Sequence, residues 1–257
     1  MAEDWAQIPD LFRRANGRLP APWEDRFGPL RRGRVDDLVV VAQMGQSIDG
    51  RIATESGHSK YINGDAGLDH LHRLRALVDA VVVGVGTAVA DNPQLTVRRV
   101  VGPSPARVVI DPRGRLPTSS RLLADDGVRR IVVVGANAPC GFPLGVEVIR
   151  LDLDGGRAAP AAILTALLER GLRRTLIEGG AHTVSMFLSA GCLDRLHIVT
   201  APMLLGAGQP SIELPPVQRA DEALRPPVRA HLLADEVLFD VDLSAQRVSV
   251  GNAKTSV

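Results

Sequence analysis

The chain has 257 residues, 45% hydrophobic and 23% charged, which is enough apolar matter for one large α/β domain or two small ones and excludes a disordered or collagen-like polymer. Its formal net charge of +1 supplies no field for nucleic acid or an anionic membrane, and all thirty basic residues except Lys60 and Lys254 are arginine. The two cysteines, Cys140 and Cys192, lie too far apart for a metal knuckle and too few for a disulfide framework, and the start Met1-Ala2-Glu3-Asp4-Trp5 lacks the basic and apolar segments of a secretory signal, so a reduced, cytoplasmic setting is expected.

Residues 1–37 carry Trp5, Phe12, Trp23 and Phe27 without a sustained period, and they predict an arm whose aromatics anchor it on the domain or on a neighbouring subunit; a mobile tail is the plainer alternative. Short Val/Ile/Leu-rich runs then predict buried strands at Leu38–Gln43, Ala80–Val85, Arg107–Ile110, Ile131–Val134, Glu147–Leu151, Thr175–Ile177 and Arg195–Thr200. Between them, Leu68, Leu71, Leu74 and Val78 mark one face of a helix, Pro160 opens a second that Gly171 ends, and Ala181–Ala190 forms a third before Gly191. Val228–Leu233 and Glu236–Asp242 predict a closing antiparallel hairpin, and the small, polar residues 244–257 a disordered tail. Such alternation implies a mostly parallel sheet with helices on both faces. Ligands of such sheets bind beyond the C-terminal strand ends, where Gly45 to Asp49, Gly84 to Asp91, Asp111 and Glu178-Gly179-Gly180 fall.

Gly179-Gly180 between a strand and a helix suits a dinucleotide diphosphate, because glycine admits close approach and the helix start presents free N–H groups; a plain tight turn is the competing reading. Gly84-Val85-Gly86 is half a dinucleotide fingerprint, with Val89 where a third glycine belongs. Asp91-Asn92-Pro93 reads as a site segment or as a helix-ending turn. His70 and His72, two apart on a helix, face different ways and make no metal pair.

The segments Ser47–Asn63, Leu74-Arg75-Ala76, Gly84-Val85-Gly86-Thr87 with Asp91–Arg98, and Glu178-Gly179-Gly180 occur together in this order. In that combination the chain, over about residues 38–243, resembles the reductase domain of the bifunctional riboflavin-biosynthesis deaminase/reductase (the RibD C-terminal domain), a member of the dihydrofolate-reductase-like superfamily. The resemblance implies a dihydrofolate-reductase-like α/β fold, an NADPH cofactor and a homodimer. It implies cofactor contacts at Gly45, Tyr61, Thr87, Asp91 and the segment 180–186, including Gly180, Ala181, His182 and Thr183, to which the strand-end glycines Gly84, Gly86 and Gly179 are added as candidates, and substrate contacts at Ser59, Arg75, Leu95, Arg98 and Glu178. Arg75 and Arg98 are then candidates for a phosphate clamp, although either would pass for a surface arginine without the motif; Glu178 and Asp91 are the candidate catalytic groups. Arg113, Arg115 and Arg121, placed after the strand ending at Asp111, are candidates for the adenosine 2′-phosphate. With no His-x-Glu and no Pro-Cys-x-x-Cys, the zinc deaminase half is absent, and a stand-alone reductase is expected.

Two positions depart from the family pattern. Gln43 stands where a lysine is common, and Tyr61 where tryptophan is usual. The lost charge keeps a second acceptor open, a dihydropterin or dihydrofolate held by a carboxylate on the first helix of the sheet domain, for which Asp65 and Asp69 are candidates against a plain role in balancing the helix dipole. A dinucleotide-binding protein without turnover is the third alternative.

Overall fold

A computed structural model describes residues 5–14, 17–59 and 62–250 of the chain. In chain order its helices are α1 (Ile8–Arg13), α2 (Trp23–Phe27), α3 (Asp65–Leu77), α4 (Val85–Asp91), α5 (Pro160–Leu168) and α6 (Ala181–Ser189). Its strands are β1 (Val39–Ser47), β2 (Arg51–Thr54), β3 (Ala80–Gly84), β4 (Ala106–Ile110), β5 (Arg130–Gly135), β6 (Val146–Leu151), β7 (Leu153–Asp154), β8 (Arg157–Ala158), β9 (Arg174–Ile177), β10 (Arg195–Ala201), β11 (Gly208–Pro210), β12 (Val228–Leu233) and β13 (Glu236–Asp242).

Nine strands form the main sheet in the order β12-β13-β10-β1-β9-β3-β4-β5-β6. Strands β10 through β6 in that order run parallel; β13 pairs antiparallel with β10, and β12 with β13. The strand runs are apolar at successive positions because both faces are covered. Alternate residues separate cleanly: Val40, Ala42, Val82, Val108 and Ile177 join the side chains of α5 and α6, while Val39, Val41, Val81, Val83 and Val109 join α3, α4 and the N-terminal arm.

The arm packs on the second face. Trp5 meets Trp23 edge-on with ring centroids 5.1 Å apart, Phe27 stacks on His70 of α3 at 5.5 Å, and the Arg73 guanidinium lies 5.0 Å from the Trp23 ring centre. The Trp5 indole N–H donates to the Val101 carbonyl at 2.7 Å, so its polar edge is satisfied in a buried setting. Residues 244–250, expected within a disordered tail, are ordered by charge instead: buried Arg247 reaches Asp194 and Asp36, and the Val250 amide donates to Asp36 at 2.9 Å. The rest of that tail, 251–257, lies outside the described residues.

Two local differences from the sequence reading bear on the site. Strand β1 continues to Ser47 because Gly45, Gln46 and Ser47 pair with Val199, Thr200 and Ala201 of β10, so Gly45 lies within the strand rather than after it. Val85, expected as the last residue of a strand, instead opens α4 directly from the end of β3, because Val85 and Ala88 bury one face of the helix against the sheet.

Candidate functional site

The chain leaves β1 for β3 on one side, then returns to insert β9 between them and carries on to β10 on the other side. That reversal opens a crevice at the C-terminal ends of β1, β9 and β3, the position favoured for ligands in open α/β sheets. Two adjoining cavities fill it, of about 690 Å³ and about 570 Å³, and both are lined by Gly86, Thr87, Gly180 and Gln209. Each is within the size range of small-molecule sites.

The smaller cavity runs between the starts of α4 and α6, the loop after β4 and the β7–β8 hairpin. Gly180 gives α6 no capping side chain, which leaves its first amides, at Ala181 and His182, without a protein acceptor among the described residues. Thr87 is already engaged: its hydroxyl accepts the Gly180 N–H at 3.0 Å and so fixes the loop between β9 and α6 against α4. A Cβ built on Gly86 would meet no protein atom within 4 Å although the residue lines both cavities, so the surface there is left open to a ligand. Gly179, at φ 110°, holds a backbone conformation that glycine adopts without strain. Arg113, Arg115 and Arg157 line this cavity and have no ion-pair partner among the described residues. Free helix amides, an open glycine surface and three unpaired guanidiniums fit the diphosphate and phosphate groups of a dinucleotide. Arg121, the third candidate, lies on the Asn92 side chain through its own amide, at 2.8 Å, and does not line the cavity. Gly84 and Thr183 also line it; the Thr183 hydroxyl sits 2.5 Å from where a Gly84 Cβ would stand, so the two residues close together under the cleft.

The larger cavity holds most of the substrate candidates. Gly45, Ser59, Leu95, Asp91, Arg75 and Glu178 all line it. Arg75 and Glu178 are joined as a buried fork, Nε to Oε1 and Nη2 to Oε2 both at 2.7 Å, with side chains 7% and 6% exposed. Burial pulls the Arg75 guanidinium down, but the Glu178 charge and hydrogen bonds outweigh it and the net pKa is raised. Arg75 is therefore not a free phosphate clamp: its charge is met by Glu178, and its remaining edge donates to the Thr96 carbonyl at 3.2 Å. Next to it, His72 accepts the Arg98 amide at Nδ1, 3.1 Å away. Burial, then the Arg75 and Arg98 charges, push the His72 imidazole down to about 4.

Desolvation raises the Asp91 carboxyl above its ordinary value. Asp91 ends α4, and the chain after it is held in unusual conformations: Asn92 has φ 40° and buried Leu95 has φ 54°. Backbone of this kind in a residue with a branched side chain persists only where its surroundings impose it, and such positions cluster in binding sites. Arg98 is exposed at the rim, outside the cavity lining, with no carboxylate partner among the described residues. Tyr61 lies outside the described residues.

Asp65 and Asp69 are not brought to the site. Both accept hydrogen bonds from Arg99, at 2.7 and 2.6 Å, and the Asp65 side chain is 88% exposed. Nor do they cap α3. That role falls to Glu236 of the closing hairpin, whose carboxylate is buried and accepts the Gly64 and Gly67 amides at 3.0 and 2.7 Å. The same carboxylate accepts from Asn63 at 2.7 Å, and Asn63 in turn lies on Gly45. Glu236, Gln209 and Arg157 belong to none of the motifs, and Glu236 and Gln209 reach the cleft only through contacts distant in sequence. Gln43, the departure from the family pattern, is buried and lines the larger cavity. No set of three His, Cys, Asp or Glu side chains suited to a metal ion occurs among the described residues, and no described helix is long and apolar enough to cross a membrane.

The model of the RibD C-terminal domain matches residues 39–232. The chain belongs to this family. Within it, the chain is 33% identical over 173 residues to the riboflavin biosynthesis protein RibD of Bacillus amyloliquefaciens, covering 65% of the chain and 46% of that protein. It is 35% identical over 175 residues to the 2,5-diamino-6-ribosylamino-4(3H)-pyrimidinone 5′-phosphate reductase of Methanothermobacter thermautotrophicus, covering 65% of the chain and 79% of that protein. The chain thus spans about half the length of the RibD relative and about four fifths of the archaeal reductase. Among solved structures, the deaminase/5-amino-6-(5-phosphoribosylamino)uracil reductase of Thermotoga maritima superposes with a TM-score of 0.69 at 28% identity, over 80% of the chain and 56% of that protein.

Proposed function

We propose that this chain is an NADPH-dependent reductase of the riboflavin pathway, acting on 5-amino-6-(5-phosphoribosylamino)uracil or on the 2,5-diamino form that its archaeal relative is named for. The observation that carries the reading is the two-compartment crevice, in which an open glycine surface and the uncapped start of α6 adjoin a cavity lined by the family's motif residues. When bound, the nicotinamide supplies a hydride to C1′ of the substrate's ribose unit, which becomes the ribityl chain. The protein's part is to hold, orient and exclude water. The first amides of α6 hold the diphosphate, and Arg113 with Arg115 receives the 2′-phosphate that separates NADPH from NADH. Glu178, fixed by Arg75, presents a rigid acceptor edge to the pyrimidine, and Ser59 lies on the same cavity wall. Asp91, on the wall of the larger cavity with its carboxyl raised by partial burial, orients the reacting groups, and Arg98, exposed beside it, is the cation left for the substrate phosphate.

Supporting this acceptor over a pterin, the two carboxylates that a pterin reading relied on, Asp65 and Asp69, are held outside the cavity by Arg99. We also read the protein as a cytoplasmic homodimer. Val228, Leu232 and Phe239 share one face of the β12–β13 hairpin and are 50%, 75% and 38% exposed, an apolar surface suited to a second copy.

The test is NADPH oxidation by the purified protein, with the two pyrimidine phosphates and dihydrofolate offered in parallel to the wild type and to Asp91→Ala. A pyrimidine preference with turnover reduced at least about 100-fold in the variant is expected. Preference for dihydrofolate, or a variant as active as wild type, would remove the assignment.

A further inference from the structure

The motif Ser47-Ile48-Asp49-Gly50 is not explained by ligand contact, since none of its residues lines either cavity. The Asp49 carboxylate is instead the focus of three donors: the Ser47 hydroxyl at 2.5 Å, the Leu205 amide at 3.1 Å and the Gly206 amide at 2.6 Å. The two amides belong to residues 203–211, a segment that leaves β10 and crosses over the turn between β1 and β2.

That segment is tied down along its length. The Ile48 amide donates to the Met203 carbonyl at 2.9 Å, the Arg51 Nε to the Gly206 carbonyl at 3.1 Å, and the Ser211 amide to the Gly50 carbonyl at 3.0 Å. Strand β11 pairs with β2 through Gly208 opposite Thr54 and Gln209 opposite Ala53. Gly208 is required by the closeness of this approach, because a Cβ there would stand 2.4 Å from the Ala53 carbonyl oxygen. The product of these contacts is the position of Gln209. It lines both cavities, and its amide nitrogen would lie 3.9 Å from a Cβ on Gly57, in the loop after β2 that also brings Ser59 to the larger cavity. The Gln209 side chain forms no hydrogen bond within the protein among the described residues, so its donor and acceptor face the junction uncommitted.

We propose that Asp49 is a latch which holds residues 203–211 as a strap across the crevice, and that the strap makes Gln209 a binding residue at the junction of the dinucleotide and substrate compartments. Asp49 is a positioning residue in this scheme and Gln209 the contact residue. The hydrogen bond from Ser47 first, and that from the Leu205 amide next, hold the Asp49 carboxyl down to about 2, so the latch stays charged throughout the neutral range. An amide in place of the carboxylate cannot accept from all three donors, since one of its two heteroatoms becomes a donor itself. The inference rests on the proposed reductase function for the identity of the ligands, and on the hydrogen bonds alone for the latch.

The experiment uses the full chain and three forms: wild type, Asp49→Asn and Gln209→Ala. Amide exchange is measured at Leu205 and Gly206, with β3 and β4 amides as internal reference, and NADPH affinity and the pyrimidine KM are measured on the same samples. In Asp49→Asn, exchange at 205–206 should accelerate at least about tenfold while the reference strands keep wild-type protection. NADPH Kd and substrate KM should both rise several-fold with a smaller change in kcat. Gln209→Ala should show the same two binding losses with strap protection intact. Unchanged exchange in Asp49→Asn overturns the latch, and unchanged Kd and KM in Gln209→Ala overturn the contact. A wild-type protein that binds no NADPH would overturn the proposed function and the Gln209 contact together, while the exchange comparison would still decide the latch.

Discussion

Replacing Glu178 by Gln tests whether the Arg75–Glu178 fork is both a structural pair and part of the binding wall. The wild-type pair has two parallel bonds at 2.7 Å and side chains 7% and 6% exposed, so neither charge has water to fall back on. Glutamine keeps the shape, but it leaves the guanidinium charge uncompensated and turns one acceptor into a donor that faces Nε or Nη2. Removing one partner of a buried pair costs about 3–5 kcal/mol. At roughly 2–4 °C per kcal/mol for a domain of this size, the melting temperature should fall by about 6–20 °C. Differential scanning calorimetry of Glu178→Gln reads that fall directly. The double variant Arg75→Met with Glu178→Met removes both charges and fills the space with apolar groups, and it should recover most of the loss. It should not recover turnover, because Glu178 lines the larger cavity and its acceptor edge is gone. A Glu178→Gln melting point within about 2 °C of wild type would refute the reasoning, since a buried charge would then have been left unpaired at almost no cost.

Acid should act on the same wall. The folded-state pKa of His72 is lowered to about 4 against an ordinary value of 6.5, so the unfolded chain binds the extra proton first and stability is lost as pH falls from about 6.5 to about 4. In His72→Asn, where the amide oxygen can still accept the Arg98 N–H, urea unfolding across that range should show a shallower pH slope; an unchanged slope would place the acid sensitivity elsewhere. For the hairpin surface, sedimentation equilibrium of the wild type should return a dimer at micromolar concentration, and Leu232→Glu, which sets a charge on an exposed apolar face, should return a monomer with its melting point little changed. A wild-type monomer would remove the dimer from the reading.

Much of this protein was determined by local pattern. The strand runs of Val and Ile specify a sheet buried on both faces because each needs apolar neighbours above and below, and alternate residues of β1 and β3 do enter opposite clusters. Pro160 and Gly171 bracket α5 through their own backbone limits, which act within one turn of chain. The crevice was legible for the same reason, since Gly179-Gly180 and Gly84-Val85-Gly86 sit at strand ends wherever the strands are placed.

What the tertiary structure alone decided is the state of the charges. Arg75 reads in sequence as a cation free for phosphate, and 103 positions later the fold supplies Glu178 to neutralise it. Asp65 stands where a helix cap belongs, yet Glu236 of the last strand does the capping and leaves Asp65 to Arg99 in solvent. Asp49 belongs to the most legible motif in the chain, and its three partners include two amides 156 and 157 residues away. Propensity and periodicity act over a few residues, so they fix elements and faces. A carboxylate interacts over several ångströms through space, and which cation or amide lies within that distance is settled only when the strands have taken their order.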